Sequence, residues 1–197
     1  MAGMEPLTRE QVKQVLSLKD LSQRNHTLLA VGFNTGFRGS ELLSLRVCDV
    51  TDTRGNVLPI VTLGASKLKG KKKSRQVKLN SDSQKQLDKL IKFLKKEGKG
   101  NRTDFLFQSR QGKKGTNLGL RQLSNIIKDV CARIGAIGRF ASHTLRKSFG
   151  EEARIIYKGD IRLICDAFGH SSTAITEMYL GVRKKEVLDG MGRMFSF

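Results

Sequence analysis

The stretch NTGFRGSELLSL, residues 34–45, sets Arg38 between Gly36 and Gly39, with Glu41 three residues on. Far along the chain, SHTLRKSF brings His143 and Arg146 at a spacing of three, which puts both side chains on one helix face. FGHSSTAITEMY follows, with His170 directly after a glycine and Tyr179 nine residues further. Between the first and second of these lies SKLKGKKKSR, residues 66–75, a turn that is almost wholly basic.

These residue types suit work on a phosphate. Two guanidiniums grip the oxygens of one phosphate through planar, multidentate hydrogen bonds that lysine cannot imitate. Histidine donates to the same oxygens or moves a proton. Tyrosine, with a pKa of ~10, is a poor nucleophile at neutral pH, but neighbouring guanidiniums favour its phenolate. A lysine from the basic turn could protonate a departing sugar oxygen. Assembled, the groups describe attack of a tyrosine on a DNA phosphate, with positive charge stabilising the transition state. Of the two tyrosines, Tyr157 sits in RIIYKG, an apolar helix end where it packs, and Tyr179 is the better nucleophile. Plainer roles stand beside these: Arg38 could pair structurally with Glu41, and His143 could cap its helix.

The elements that must position these groups are read from periodicity. Thr8 and Gln11 form a capping box ahead of a stripe through Val12, Val15 and Leu16. Helices are expected over 25–34 and from Ser40 to about Val47. Residues 57–66 and 75–79 read as the strands of a hairpin around the basic turn. A serine-capped helix with a Leu87, Leu90, Ile91, Leu94 stripe ends at Gly98. A loop with one short apolar strand or turn covers 99–117. An amphipathic helix then runs through Leu123, Ile126, Ile127, Val130 and Ile134, and further helices are expected near 143–158, 161–168 and 172–180. No internal repeat or linker interrupts this pattern, so the reading is a single α+β domain over 1–197, mostly helical, with a small antiparallel β-hairpin.

Composition narrows the partner. A chain of 197 residues can bury one substantial core. Its net charge of +19 attracts a polyanion, and nucleic acid fits better than a membrane because no apolar run reaches ~18 residues. The first residues, MAGMEPLTREQ, lack a secretory layout. Cys48, Cys131 and Cys165, odd in number and far apart, read as reduced thiols of a cytoplasmic protein. GASKLKGKK is not a nucleotide phosphate loop, because its glycines are too far apart and no Ser or Thr follows the lysine. The clustered carboxylates of a two-metal nuclease are also missing from the pattern.

In order, TGFRGSELLSL, ASKLKGKKKSR, SHTLRKSF and FGHSSTAITEMY resemble the motifs of the tyrosine recombinases, the lambda-type integrase family, over about residues 5–185. The resemblance implies the catalytic-domain fold of that family and site-specific recombination of double-stranded DNA, with neither cofactor nor metal. Tyr179 would attack the scissile phosphate to give a 3′-phosphotyrosyl link. Arg38 and Arg146 would clamp the non-bridging oxygens, His170 would add a hydrogen bond, and His143 would assist as base or hydrogen-bond partner. Lys67 would be the general acid, with Lys69 as the alternative. Glu41 would orient the arginine–histidine cluster from behind. Lys69, Lys71, Lys72, Lys73 and Arg75 would contact DNA phosphates.

The resemblance also implies a homotetramer on DNA, a cytoplasmic and nucleoid-associated setting, and a missing N-terminal core-binding domain. The chain would then be either a fragment or a compact relative like the fimbrial phase-switch invertases. Val187, Leu188, Met191, Met194 and Phe195 of the tail could dock on a neighbouring subunit or on their own domain. Type IB topoisomerase-like relaxation and a catalytically silent DNA-binding accessory protein are the competing functions.

Overall fold

A computed structural model describes residues 4–64, 74–110 and 115–180, the last three by backbone only. Lys67, Lys69, Lys71, Lys72, Lys73 and the tail residues 187–195 lie outside the described residues. The chain divides into two compact units, Met1–Phe149 and Gly150–Phe197. The division falls inside a continuous helix, and no proline, glycine or serine run marks it.

In the first unit, α1 (Arg9–Ser17) opens as expected: the Thr8 hydroxyl accepts from Gln11 N–H at 3.2 Å and the Gln11 carboxamide from Thr8 N–H at 3.0 Å. The helix α2 (Gln23–Thr35) is capped by Ser22 and buries Thr27 through Phe33 on all sides, the signature of a central helix. It stops at Gly36, whose φ of 58° is left-handed and ends the helix at no steric cost.

The expected helix from Ser40 to Val47 is instead two short ones, α3 (Gly39–Leu43) and α4 (Val47–Val50). The break has a non-local cause. Leu106 N–H donates to Leu45 C=O at 2.8 Å, and Arg46 bridges Phe105, so the apolar turn of the following loop claims the intervening backbone. Asp49 then accepts from Arg46 N–H at 2.6 Å and restarts the helix.

Strands β1 (Ile60–Leu63) and β2 (Arg75–Lys78) pair antiparallel, with Ile60 opposite Lys78 and Leu63 opposite Arg75. They are shorter than the pattern suggested; Val57 pairs with Thr51 instead. Helix α5 (Ser81–Lys96) packs along α2 through Leu87, Leu90, Ile91 and Leu94. Its cap is Asn80, which accepts from Ser83 N–H at 2.8 Å, so Ser81 is the first helical residue and not the cap expected of it. Helix α6 (Leu120–Arg133) supplies Leu123 and Ile127 to the same core, beside Leu28, Leu29, Leu42 and Leu106, all essentially inaccessible. Truncating one such leucine to alanine costs about 2–5 kcal/mol.

Helix α7 (Ser142–Ile156) begins in the first unit and ends in the second. The second unit continues through a turn with left-handed Lys158 and Gly159 to α8 (Ile161–Phe168). Asp160 caps α8, accepting from the N–H groups of Arg162 and Leu163 at 2.9 and 3.2 Å. Gly169, at φ 62°, closes it, and α9 (Thr173–Leu180) packs against it. No helix among the described residues is long and apolar enough to cross a membrane. Among the described residues all three cysteines are free thiols; Cys131 and Cys165 are buried and Cys48 is half-buried.

Candidate active site

The end of α2 organises the residues of the first unit. The last carbonyls of a helix have no intrahelical donor and carry the negative end of its dipole, so they attract cations. Here two buried arginines answer. The Arg75 guanidinium donates through Nη2 to Thr35 C=O at 2.8 Å, and Arg146 donates through Nη1 to Gly36 C=O. Arg146 reaches from the first turns of α7 and is 1% exposed.

Two residues after Gly36, the chain turns into α3 with Arg38 at its cap position. Both oxygens of Glu41 serve Arg38: Oε2 accepts from its backbone N–H and Oε1 from its Nη1, each at 2.8 Å. Glu41 is 2% exposed, whereas the Arg38 side chain is one-third open to solvent. Burial pushes the Glu41 pKa up. The backbone and side-chain bonds from Arg38, with the charges of Arg38 and Arg146, outweigh it and hold the carboxyl below its ordinary value. It is therefore an anion at neutral pH, fixing a guanidinium that is partly open to solvent.

His143 lies at the start of α7 and is exposed. Partial burial, then the charges of Arg146, Arg38 and Lys147, lower its pKa and favour the neutral imidazole. A neutral ring can accept a proton; a charged one cannot. The first unit thus gathers Arg38, Glu41, His143 and Arg146 into one electrostatic cluster.

Arg75, expected to contact DNA phosphate, lies in the structure beside that cluster, with Arg146, Glu41 and Arg38 as its neighbouring charges. Directly opposed residues share a face of a hairpin, and Leu63, opposite Arg75, is fully buried. The side chain therefore enters the fold, is 7% exposed, and lies 5.1 Å over the Phe37 ring. Burial, followed by the charge of Arg146, pushes its pKa down to about 9.

The second unit holds His170. Gly169 turns the chain out of α8, and His170 N–H closes the turn on Cys165 C=O at 2.9 Å. The imidazole stacks on Phe168, with centroids 4.9 Å apart and planes 10° from parallel. Its Nδ1 meets Thr176 Oγ1 at 2.8 Å. Thr176 is fully buried and was not legible from sequence, because it comes six residues later, across the bend at Ser171–Ser172. Tyr179 lies in the last turn of α9. The bend before Thr173 means that His170 and Tyr179 do not share one straight helix.

A cluster that presents a solvent-open guanidinium beside a buried one and a neutral histidine can bind and polarise an anion such as a phosphodiester. The phage integrase family model matches residues 5–186, and the chain belongs to that family. The tyrosine recombinase XerD of Oceanobacillus iheyensis is 30% identical over 190 residues, 93% of this chain and 59% of that protein. Among solved structures, the XerA recombinase superposes with a TM-score of 0.73 at 20% identity, covering 100% of this chain and 68% of that one. The XerH site-specific recombinase bound to palindromic difH substrate gives 0.71 at 21%, covering 98% and 54%. At those identities the structures establish a shared fold. The chain spans about three fifths of the length of the XerD relative.

Proposed function

We propose that the protein is a site-specific tyrosine recombinase that cuts and rejoins double-stranded DNA without nucleotide hydrolysis. The observation that supports it most is the α2 end, where Arg38 and Arg146 flank one bend and both act on Glu41 and His143. The relatives point the same way: they include named tyrosine recombinases, a site-specific recombinase solved with its difH substrate, and a transposon integrase solved with transposon end DNA.

In this reading the Tyr179 oxygen attacks the scissile phosphorus and the bond from phosphorus to the 5′-oxygen breaks. A 3′-phosphotyrosyl link and a 5′-hydroxyl result. The phenol proton passes to a base, for which neutral His143 is suited, and Lys67 supplies the proton to the leaving oxygen. Arg38, Arg146 and His170 neutralise the charge that grows on the non-bridging oxygens. Glu41 holds Arg38. Each phosphodiester broken is replaced by another phosphoester, so the exchange needs no external energy source. The lysines of the 66–75 turn add phosphate contacts that raise affinity without reading sequence. A homotetramer completes the exchange through a four-way junction, with the C-terminal tail reaching a neighbouring subunit, in the cytoplasm on the nucleoid.

The test is strand exchange in EDTA between two differently labelled duplexes tiled from the DNA flanking the gene. Four-way junctions and reciprocal products are expected. Relaxation of supercoiled plasmid by a monomer, with no exchange, would assign the topoisomerase function instead; binding without any strand cut would assign the accessory role.

A further inference from the structure

Arg75 has no role in the chemistry above, yet it reaches the same bend as the clamp. It stands on the first rung of β2, opposite Leu63, and donates to Thr35 C=O. The neighbouring carbonyl, that of Gly36, receives Arg146. The ring of Phe37, 1% exposed, lies under the Arg75 guanidinium, and Arg38 follows directly. Three consecutive residues before Arg38 are therefore each gripped by a buried guanidinium, two of them by Arg75. The planar fork is what allows this: one N–H bonds a carbonyl while the face of the group covers an aromatic ring, a pairing that an ammonium does not reproduce.

We propose that Arg75 is a positioning residue, which fixes the Thr35–Phe37 bend so that Arg38 and Arg146 hold a common geometry on the scissile phosphate. It acts through those two arginines and does not itself touch DNA. This rests on the strand-cleavage reading. The alternative, a contact to backbone phosphate, is opposed by the seat of its guanidinium, which bonds Thr35 C=O and lies over the buried Phe37 ring.

The test compares the full-length wild type with R75M, which keeps the volume, and R75K, which keeps a charge. Four quantities are read: the urea midpoint, affinity for nicked flanking-DNA duplexes against salt, the rate of covalent adduct formation at saturating DNA, and amide exchange at Phe37 and Arg38. R75M is expected to keep the affinity and its salt slope, lose about 10²-fold in rate at saturation, and exchange faster at both amides. R75K, which keeps the charge but not the fork, is expected to match R75M in lost rate and faster exchange, and it carries the comparison if R75M fails to fold. A salt slope smaller by about 1 with the saturated rate intact would make Arg75 a DNA contact and overturn the proposal. So would a lowered midpoint with wild-type rate at saturation. If the wild type forms no adduct, the strand-cleavage reading fails separately. Exchange then judges Arg75 alone: faster exchange supports the bend anchor and unchanged exchange overturns it.

Discussion

Glu41 closes a ring with Arg38, one carboxylate oxygen on its backbone N–H and the other on its guanidinium, both at 2.8 Å. The same contact starts α3 and aims the arginine, so local folding and the aim of the site are one interaction. Its pH dependence has a definite sign. The Glu41 pKa is lowered by folding, so the stabilisation is present above its ordinary value of 4.5 and is lost as pH falls through the folded value. E41Q removes that term. The mutant is expected to be less stable than wild type at pH 7, and the gap should narrow as pH falls below 4.5, read from urea midpoints. A gap constant with pH would mean that the charge contributes nothing.

Arg38 and Arg146 differ in exposure, and their variants should differ in kind. R38K leaves the fold intact, because one-third of that side chain already meets water, and is expected to lose about 10²–10³-fold in adduct formation. R146K places a compact ammonium where a 1% exposed fork bonds Gly36, and should lose stability as well as rate. Thermal melts beside single-turnover cleavage separate the two.

Gly36 is a backbone requirement. At φ 58° an added Cβ would lie 2.3 Å from Phe149 Cδ1. Left-handed backbone alone costs a non-glycine residue about 1–2 kcal/mol, and the ring must also move. G36A is therefore expected to destabilise by more than 2 kcal/mol, roughly, in urea unfolding, and G36A/F149L should recover only the steric part.

Thr176 orients His170. T176V keeps the shape but removes the Oγ1 that meets Nδ1 at 2.8 Å, while T176S keeps it. Removing one partner of a buried hydrogen bond costs about 1–3 kcal/mol. The valine variant should change the His170 ring signals seen by NMR and slow adduct formation, and the serine variant should restore both. Equal behaviour of the two would reduce Thr176 to packing.

How far the sequence reached depended on how local each cause was. Arg38 and Glu41 were legible together because their link spans three residues and doubles as a helix start. The stripes of α5 and α6 were legible because one face carries them. The split between α3 and α4 was not, since Phe105 and Leu106 impose it from sixty residues away in sequence, roughly the separation at which no local rule operates. The placement of Arg75 was not legible for a related reason. It ends a basic run and looked solvated, and only its register opposite buried Leu63 turns it inward. Counting by two along the hairpin would have raised that possibility, but not the Thr35 carbonyl that receives it.

The most direct measurement of the central claim is identification of the residue joined to DNA. Nicked duplexes from the flanking DNA are incubated with wild type, Y157F and Y179F in EDTA. Denaturant-resistant adducts are digested, and the modified peptide is sequenced by mass spectrometry. The mechanism predicts adduct from wild type and Y157F, none from Y179F, a phosphotyrosyl bond at Tyr179, and a free 5′-hydroxyl on the released strand. Adduct persisting in Y179F, or a phosphate attached elsewhere, would contradict it.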